Sequence, residues 1–307
     1  MLGMMASRSA LVTGGSGFIG RHLVRRLLLD GCRVTLLQRS PADRGVECLT
    51  VEQLDVSSLT RALAGRAFDW IFHLAAYGVR PADQNLETMF RVNVDVTRAL
   101  VDIASSWSPR AVVVVGSGAE YQLDGVEQQV TEDHPLEAFK LYGASKAAGT
   151  LCSVALARAR GIPLAACRIF GVYGPGEAPH RLLPSLIKGL HDGDRIPLSA
   201  GLQKRDFLFV DDVVEALVKV AMAVEVAPRQ IVVNVGTGHA ISVRQFVQTV
   251  ASTLNIPEDR FGFGDISMRP GEVMFFSGNP ARLQALTGWA ARVELEEGIR
   301  RCVEPQR

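Results

Sequence analysis

The feature that most constrains the fold is a glycine-rich loop near the start of the chain, Gly14-Gly15-Ser16-Gly17-Phe18-Ile19-Gly20. The loop follows a short β-type segment, Ser9 to Thr13, and precedes an amphipathic helical pattern from His22 to Asp30. Glycine lets the backbone of such a loop approach a pyrophosphate, which then lies on the N-terminus of the helix. The position between a strand and a helix favours a dinucleotide-binding loop over a simple tight turn.

Apolar strand-type segments alternate with amphipathic helical segments up to residue 170. Further strands are predicted at Arg33 to Leu37, Trp70 to Leu74, Arg110 to Val115 and Pro163 to Phe170, and helices at Met89 to Ser105 and Tyr142 to Arg160. This alternation predicts an α/β fold, a Rossmann-type doubly wound parallel sheet with helices on both faces. Ligands of such sheets bind at the carboxyl ends of the strands.

The composition changes after Tyr173-Gly174-Pro175-Gly176, where Pro and Gly become more frequent and the pattern less regular. We therefore predict that residues 1–173 form an NAD(P)-binding Rossmann domain, with a returning segment near 207–238. Residues 174–307 are expected to form mainly a smaller C-terminal α/β domain that binds the substrate.

Charge and composition exclude several classes of protein. Lys and Arg number 33 against 32 for Asp and Glu, and this balance offers no field for a nucleic acid. The apolar stretch Val213 to Ala227 is interrupted by charges, which argues against a membrane span. The five cysteines are scattered and the segment Met1 to Ser7 lacks a basic flank, so a cytoplasmic protein is expected. The histidines show no metal-ligand spacing, and no metal site is predicted.

The end of the second predicted strand, at Gln38, Arg39 and Ser40, bears on the choice of cofactor. A carboxylate there would bind the adenosine ribose and repel a 2′-phosphate, whereas Arg accommodates that phosphate. The pattern favours NADP(H), with NAD(H) possible, unless Arg39 is only a solvated surface charge. Asp55 and Val56 are positioned to meet the adenine, although Asp55 could equally cap a helix.

Tyr142 and Lys146 have the spacing that places two side chains on one face of a helix. A nearby ammonium stabilises a phenolate, so Lys146 is expected to lower the pKa of Tyr142 toward neutral pH. Ser117 lies at the end of an apolar strand, where its hydroxyl can bind the same substrate oxygen. The three residues suit general acid–base chemistry between a carbonyl and an alcohol.

Several stretches together carry a family resemblance: Thr13–Gly20, His73–Ala76, Val92–Val94, Ser117–Tyr121, Tyr142–Lys146, Val172–Gly176, Arg205–Phe207, Val210–Val213, Asn234–Gly238 and Arg269–Glu272. In this order, over nearly the whole chain, they resemble the extended short-chain dehydrogenase/reductase family. The similar branch contains the NAD(P)-dependent epimerases, dehydratases and reductases that act on nucleotide sugars.

The resemblance implies that Ser117, Tyr142 and Lys146 are the catalytic triad, and that Lys146 also holds the nicotinamide ribose. Asn93 is expected in the helix behind the active site. The implied cofactor site consists of Gly14, Ser16, Gly17, Phe18, Ile19, Gly20, Arg39, Ser40, Asp55, Val56, Leu74, Ala75, Ala76, Asn93, Tyr142, Lys146, Phe170 and Val172.

The implied substrate is a nucleoside-diphosphate sugar, contacted by Ser117, Gly118, His180, Arg205 and Arg269. The two arginines would grip the diphosphate, and the alternative for them is a salt bridge between the domains. His180 would be an acid–base group over the sugar, and the alternative for it is a surface-loop histidine. The family often dimerises through two helices per subunit, so a homodimer is expected through Met89–Ser105 and Tyr142–Arg160.

Three positions depart from the family pattern. Gly118 and Ala119 replace the Asp-Glu pair of the dehydratases, which disfavours dehydration by that mechanism. Gly171 replaces an Asn that contacts the sugar nucleotide, and Glu120 replaces a small apolar residue without an evident reason in the sequence.

Three functions follow from these residues. The first is NADPH-dependent reduction of a nucleoside-diphosphate 4-keto-6-deoxyhexose at C4, which Arg39 favours. The second is an NAD-dependent nucleotide-sugar 4-epimerase that uses the same triad. The third is a non-catalytic NAD(P)-sensing protein, against which the intact triad argues.

Overall fold

The structure is a computed structural model that describes residues 8–41, 46–80, 82–193 and 195–304. The segment Met1 to Ser7, on which the expected absence of a leader rests, lies outside the described residues. The strands are β1 Ser9–Thr13, β2 Arg33–Gln38, β3 Glu47–Thr50, β4 Trp70–His73, β5 Ala111–Ser117, β6 Leu164–Ile169, β7 Gly171–Tyr173, β8 Ile196–Leu198, β9 Lys204–Phe209, β10 Gln230–Val235, β11 Ala240–Ser242, β12 Phe261–Phe263 and β13 Phe275–Phe276. The α-helices are α1 Phe18–Leu29, α2 Val56–Leu63, α3 Leu86–Phe90, α4 Thr97–Ala104, α5 Leu141–Arg160, α6 Leu182–Asp192, α7 Val210–Val226, α8 Val243–Thr253, α9 Ala281–Thr287 and α10 Leu295–Val303.

A seven-stranded parallel sheet, in the order β10-β6-β5-β4-β1-β2-β3, forms the centre of the molecule. The strand order reverses between β1 and β4, which opens a crevice at their carboxyl ends. The predicted Rossmann-type parallel sheet is thereby confirmed.

The sheet is covered on both faces because successive strand residues point to opposite sides. In β1, Ala10 and Val12 pack against α1 and α7, whereas Leu11 packs against the layer that contains α2, α4 and α5. Burial on both faces explains why these strands are almost uniformly apolar.

One predicted helix, Met89 to Ser105, is three consecutive segments in the structure. Helix α3 and helix α4 are joined by a π-helical stretch, Arg91–Val96. Such wide turns are frequent at functional sites, and this one carries Asn93. Sequence periodicity alone did not predict it.

Strands outside the central sheet form two smaller sheets. Strand β9 pairs with β7, β11 and β13, and β12 pairs with β8. Around them lies a separate apolar cluster, which contains the rings of Tyr173, Phe209 and Phe246. Between these strands, α7 and β10 lead the chain back to the central sheet, where β10 pairs with β6. The domain boundary near residue 173 stays a prediction.

None of the helices within the described ranges is long and apolar enough to cross a membrane. Among the same residues, no three His, Cys, Asp or Glu side chains are grouped so that they could hold a metal ion.

Candidate active site

The glycine loop lies directly beneath the segment that follows β4. Gly14 has a φ of +71°, and a Cβ built on it would be 2.7 Å from the amide nitrogen of Ala75. Glycine is therefore required there, both for the backbone conformation and for the close approach. This contact brings the loop together with Leu74 and Ala75, while their contact with a cofactor stays a prediction.

Helix α1 starts immediately after the loop with its first amide groups uncapped. Its N-cap residue, Gly17, has no side chain to accept hydrogen bonds from the first turn. The amide groups of Phe18, Ile19 and Gly20 have no intrahelical acceptor and carry the positive end of the helix dipole. These features fit the pyrophosphate of a dinucleotide.

The carboxyl end of β2 presents an amide and a guanidinium. Gln38 is buried, its Nε2 donates to the carbonyl of Ser40 at 2.8 Å, and its Oε1 is a buried acceptor without a partner in the described part of the chain. The next residue, Arg39, is exposed. An unpaired acceptor fits a ribose hydroxyl, because a buried oxygen without a donor is otherwise unfavourable.

The predicted adenine contact at Asp55 has a competing role in the structure. Asp55 is the N-cap of α2, and its Oδ1 accepts from the amide of Ser58 at 2.7 Å. That hydrogen bond lowers the pKa of the Asp55 carboxyl. The capping alternative is confirmed, and a contact of Asp55 or Val56 with adenine stays a prediction.

Helix α5 brings Tyr142 to the carboxyl end of β5 through a close backbone contact. A Cβ on Gly143 would be 2.2 Å from the carbonyl oxygen of Ala119, so only glycine permits this packing. Ser117 is the last residue of β5, and its Oγ accepts from the amide of Ala119 at 3.1 Å. The Ser117 side chain also lies close enough to the Tyr142 phenol to lower the pKa of that phenol, against the larger, raising effect of burial. The structure thus brings the two predicted catalytic hydroxyls together.

The expected effect of Lys146 on Tyr142 is wrong. Burial raises the pKa of the Tyr142 phenol above its ordinary value near 10, and Ser117, not Lys146, is the main opposing influence. The ammonium of Lys146 donates instead to the carbonyl of Val115 at 2.8 Å, and burial lowers the pKa of Lys146. Tyr142 is therefore a protonated phenol at neutral pH in this structure.

Asn93 supports the site and does not offer its side chain to a cofactor. It is 1% exposed, its Nδ2 donates to the carbonyl of Tyr77 and to Oγ of Ser145, and its Oδ1 accepts from the Tyr77 amide. Gly78, which follows Tyr77 in the chain, packs against the ring of Tyr142. A Cβ added to Gly78 would be 2.9 Å from that ring. In place of the predicted cofactor contact, Asn93 fixes the backbone on which Tyr142 packs.

Two more predicted site residues, Phe170 and Gly118, lie in a cluster of aromatic rings. Phe170 is 5% exposed and packs on Phe276 and Tyr121, so its ring is enclosed by protein. The same rings leave no room for a side chain at Gly118, whose added Cβ would be 2.7 Å from Phe170 and 2.8 Å from Phe276. Because its ring is enclosed, Phe170 could contact a cofactor through its backbone. Val172, two residues further along, is half-buried.

The two predicted diphosphate arginines differ in their surroundings. Arg205 forms an ion pair with Glu272, and burial lowers its pKa against the opposing effect of that carboxylate. Arg269 is exposed, in the turn where its carbonyl accepts from the Glu272 amide at 3.2 Å. His180 is also exposed and lies before α6. The sequence did not predict that the Arg205 guanidinium is paired with the carboxylate of Glu272.

The sequence also missed two buried carboxylates near the site. Glu120 forms an ion pair with Arg168. Asp206, next to Arg205, accepts hydrogen bonds from Thr237, the Gly238 amide and Ser277. The signal for Glu120 was its departure from the family pattern, but its partner is 48 residues away in the chain.

Comparison with known proteins gives the class. The model of the NAD dependent epimerase/dehydratase family matches residues 10–236. That match covers most of the chain, and the protein therefore belongs to the NAD-dependent epimerase/dehydratase family. It is an enzyme of the extended short-chain dehydrogenase/reductase type, as the resemblance implied.

Individual relatives catalyse different reactions. The probable UDP-glucuronate 4-epimerase of Rhizobium meliloti (strain 1021) is 28% identical over 96% of this chain and 95% of that protein. The dTDP-6-deoxy-L-talose 4-dehydrogenase (NAD(P)(+)) of Kitasatospora kifunensis is 30% identical over 81% of this chain and 80% of that protein. The solved structure of MoeE5 in complex with UDP-glucose and NAD is 33% identical, with a TM-score of 0.82 and coverage of 96% and 97%.

Proposed function

We propose that the protein uses NADPH to reduce the C4 carbonyl of a nucleoside-diphosphate 4-keto-6-deoxyhexose. The observation that carries this proposal is the end of β2, where buried Gln38 and exposed Arg39 stand in place of a carboxylate. A carboxylate would repel the 2′-phosphate of NADP, whereas a guanidinium binds it. An epimerase recovers its cofactor in each cycle and gains nothing from NADPH, but a net reduction consumes it.

The surroundings of Gly118 support reduction over dehydration. Elimination of water from a hexose needs an acid and a base beside the sugar, and neither Gly118 nor Ala119 has a titratable group. Phe170 and Phe276 fill the space that a side chain at residue 118 would need.

The protonated phenol of Tyr142 suits the direction of the reaction. Reduction of a carbonyl adds a hydride to carbon and a proton to oxygen, and a phenol with a raised pKa enters the reaction as the proton donor. Ser117 Oγ already accepts from the Ala119 amide, so its own proton is available to the substrate oxygen or to Tyr142. Both hydroxyls then contact the oxygen on which charge develops.

The family's cofactor fits the remaining groups of the site. The uncapped first turn of α1 would hold the pyrophosphate, and Lys146 has two further N–H donors for the nicotinamide ribose. When bound, NADPH supplies the hydride for C4. The chain's own contribution is to orient the carbonyl, to donate the proton from Tyr142 Oη and to hold the new hydroxyl.

The purified enzyme should be given a dTDP- or UDP-linked 4-keto-6-deoxyglucose with NADPH or NADH. We expect the absorbance of NADPH to fall with formation of a 4-hydroxy sugar nucleotide, and a higher kcat/KM with NADPH than with NADH. Interconversion of UDP-glucose and UDP-galactose without added reductant would instead identify a 4-epimerase.

We also propose that the enzyme is a homodimer through helices α3 to α5. Apolar side chains are exposed there, with Leu86 50%, Phe90 42% and Leu151 55% accessible to solvent. Exposed apolar groups of this kind on neighbouring helices favour helix-to-helix association. Sedimentation equilibrium should give twice the chain mass of 33.2 kDa.

A further inference from the structure

Glu120 and Arg168 form an ion pair that is almost completely shielded from solvent. The side chain of Glu120 is 0% exposed and that of Arg168 is 3% exposed, with 2.8 Å between Oε2 and Nε. A buried ion pair contributes little net stability relative to a well-packed apolar pair, because both charges lose their hydration. Stability alone therefore does not explain why two charged residues occupy this place.

The other oxygen of Glu120 joins two parts of the active site. Glu120 Oε1 accepts from the backbone amide of Ser117 at 2.9 Å and from Oγ1 of Thr150 at 3.0 Å. Thr150 lies one helical turn after Lys146 and two turns after Tyr142 on α5. A single carboxylate oxygen thus connects the residue at the end of β5 with the helix that carries Tyr142 and Lys146.

Arg168 is held on three sides, which fixes the carboxylate in turn. Its Nη1 donates to the Tyr121 hydroxyl at 2.9 Å and to the carbonyl of Glu132 at 3.3 Å, and its guanidinium lies over the Tyr121 ring at 4.5 Å. The Tyr121 hydroxyl donates to Oδ1 of Asn234 at 2.6 Å. The network therefore reaches from α5 to β10 beneath the site.

We propose that Glu120, held by Arg168, is a positioning residue that sets Ser117 relative to Tyr142. It does not touch the substrate, because it has no exposed surface. This inference rests on the proposed function, in which Ser117 and Tyr142 act on the carbonyl oxygen. Without the bond to Glu120, the Ser117 amide loses its partner, and α5 keeps the bond from Lys146 to the Val115 carbonyl but loses the link from Thr150 to the end of β5.

The negative charge of Glu120 also affects the protonation of Tyr142 and Lys146. Burial is the main cause that raises the pKa of Tyr142, and the charge of Glu120 raises it further, whereas Ser117 and Arg181 lower it. Burial lowers the pKa of Lys146, and the charge of Glu120 opposes that effect. Both residues are thereby favoured in their protonated forms, which is the state that a proton donor and a ribose-binding ammonium need.

The test separates positioning from stability by replacing the whole ion pair. In Glu120→Val/Arg168→Met both charges are gone, so neither is left buried without a partner. We expect a folded protein whose Tm is somewhat lower, because the Ser117 amide and the Thr150 hydroxyl lose their acceptor. The NADPH dissociation constant and the KM for the sugar nucleotide should stay close to those of the wild type, and kcat should be at least tenfold lower. Wild-type kcat in a stable double variant would overturn the proposal.

A second pair of variants covers the case in which the double variant does not fold. Thr150→Val removes the donor to Glu120 and leaves the ion pair intact. The matched control, Ser153→Ala, removes a buried hydroxyl of the same helix that donates to the Gly149 carbonyl and, within the described residues, does not bond to Glu120. We expect Thr150→Val to have a kcat at least threefold below that of Ser153→Ala at equal KM. Equal kcat values in the two variants would overturn the positioning role.

The two proposals fail in different ways. If the wild type reduces the 4-keto sugar and the variants match it, the positioning role is wrong and the function stands. If the wild type epimerises instead, the reductase function is wrong, while the same kcat ratios still test Glu120. A wild type that catalyses neither reaction would overturn both.

Discussion

The hydroxyl of Thr13 lies 2.7 Å from Nδ1 of His73 and links the carboxyl ends of neighbouring strands β1 and β4. Thr13 Oγ1 also accepts from the Ala75 amide at 3.3 Å. On the other side of the ring, Thr97 Oγ1 donates its only proton to the carbonyl of Asn93 at 2.9 Å, so it accepts from His73. Nε2 of His73 therefore carries the ring proton and donates to Oγ1 of Thr97 at 2.9 Å. Burial lowers the pKa of His73 to about 3, and the ring stays neutral.

We expect Thr13→Val to weaken both the fold and cofactor binding. The isosteric change leaves the Ala75 amide and Nδ1 of His73 without partners, at a cost of about 1–3 kcal/mol. Calorimetry should show a lower Tm, and fluorescence titration a weaker NADPH complex, because Ala75 lies against the glycine loop. Thr13→Ser keeps the hydroxyl and serves as the control. If both variants behave alike, the hydroxyl has no such role.

Tyr142→Phe should lower kcat by roughly 10²-fold or more, the usual contribution of a positioned general acid. The ring still packs against Gly78, so the Tm and the NADPH dissociation constant should stay near those of the wild type. Steady-state kinetics at saturating substrate is the measurement. Turnover close to the wild-type rate would remove Tyr142 from the mechanism.

Arg39→Asp should shift the preference from NADPH toward NADH. The change removes a guanidinium partner of the 2′-phosphate and introduces a like charge next to it. The control is Arg33→Asp, which changes an exposed arginine at the opposite end of β2. The ratio of the two dissociation constants, from fluorescence titration, is the readout. An unchanged ratio in Arg39→Asp would show that Arg39 does not meet the cofactor.

Arg269→Ala and Arg205→Ala should separate binding from stability. A lost charge-assisted hydrogen bond, worth about 1.5–3 kcal/mol, weakens nucleoside-diphosphate binding roughly tenfold to a hundredfold. Only Arg205→Ala should also lower the Tm, because it leaves the carboxylate of Glu272 without its ion pair. Isothermal titration with UDP and dTDP gives the affinities. Wild-type affinity in both variants would show that the diphosphate binds elsewhere.

Glu177 should make the enzyme less stable as the pH rises through neutrality. Its side chain is 8% exposed and lines a cavity of about 390 Å³, and burial raises its pKa from 4.5 to about 7. The folded state binds the proton of Glu177 more tightly than the unfolded state does. The stabilisation that this proton gives is therefore complete below pH 4.5 and is lost as the pH rises through about 7.

We expect the Tm of the wild type to fall between pH 5 and pH 8 by roughly 3–6 °C more than that of Glu177→Gln. Differential scanning calorimetry in matched buffers is suitable. Glu127→Gln, at an exposed position, should keep the wild-type dependence. The same dependence in all three proteins would place the titration elsewhere.

Local pattern predicted much of the sheet and part of the site. The strand that ends at Ser117 and the helix that carries Tyr142 follow from apolar runs and periodicity, which depend on neighbours in the sequence. The ion pairs of Glu120 with Arg168 and of Arg205 with Glu272 join residues far apart in the chain, so no local pattern contains them. The raised pKa of Tyr142 depends on burial by the folded chain, which spacing to Lys146 does not measure.

The return of the chain through α7 and β10 limits how the enzyme can be re-engineered by recombination. The sheet around β9 takes its strands from residues 171–209 and 240–276, on either side of that return. In a hybrid gene with one junction, a junction within residues 171–276 divides this sheet between the two parents, and a junction just before residue 171 places β10 of one parent beside β6 of the other. A working chimera needs both stretches from one parent and the intervening α7 and β10 from the other, which requires three junctions.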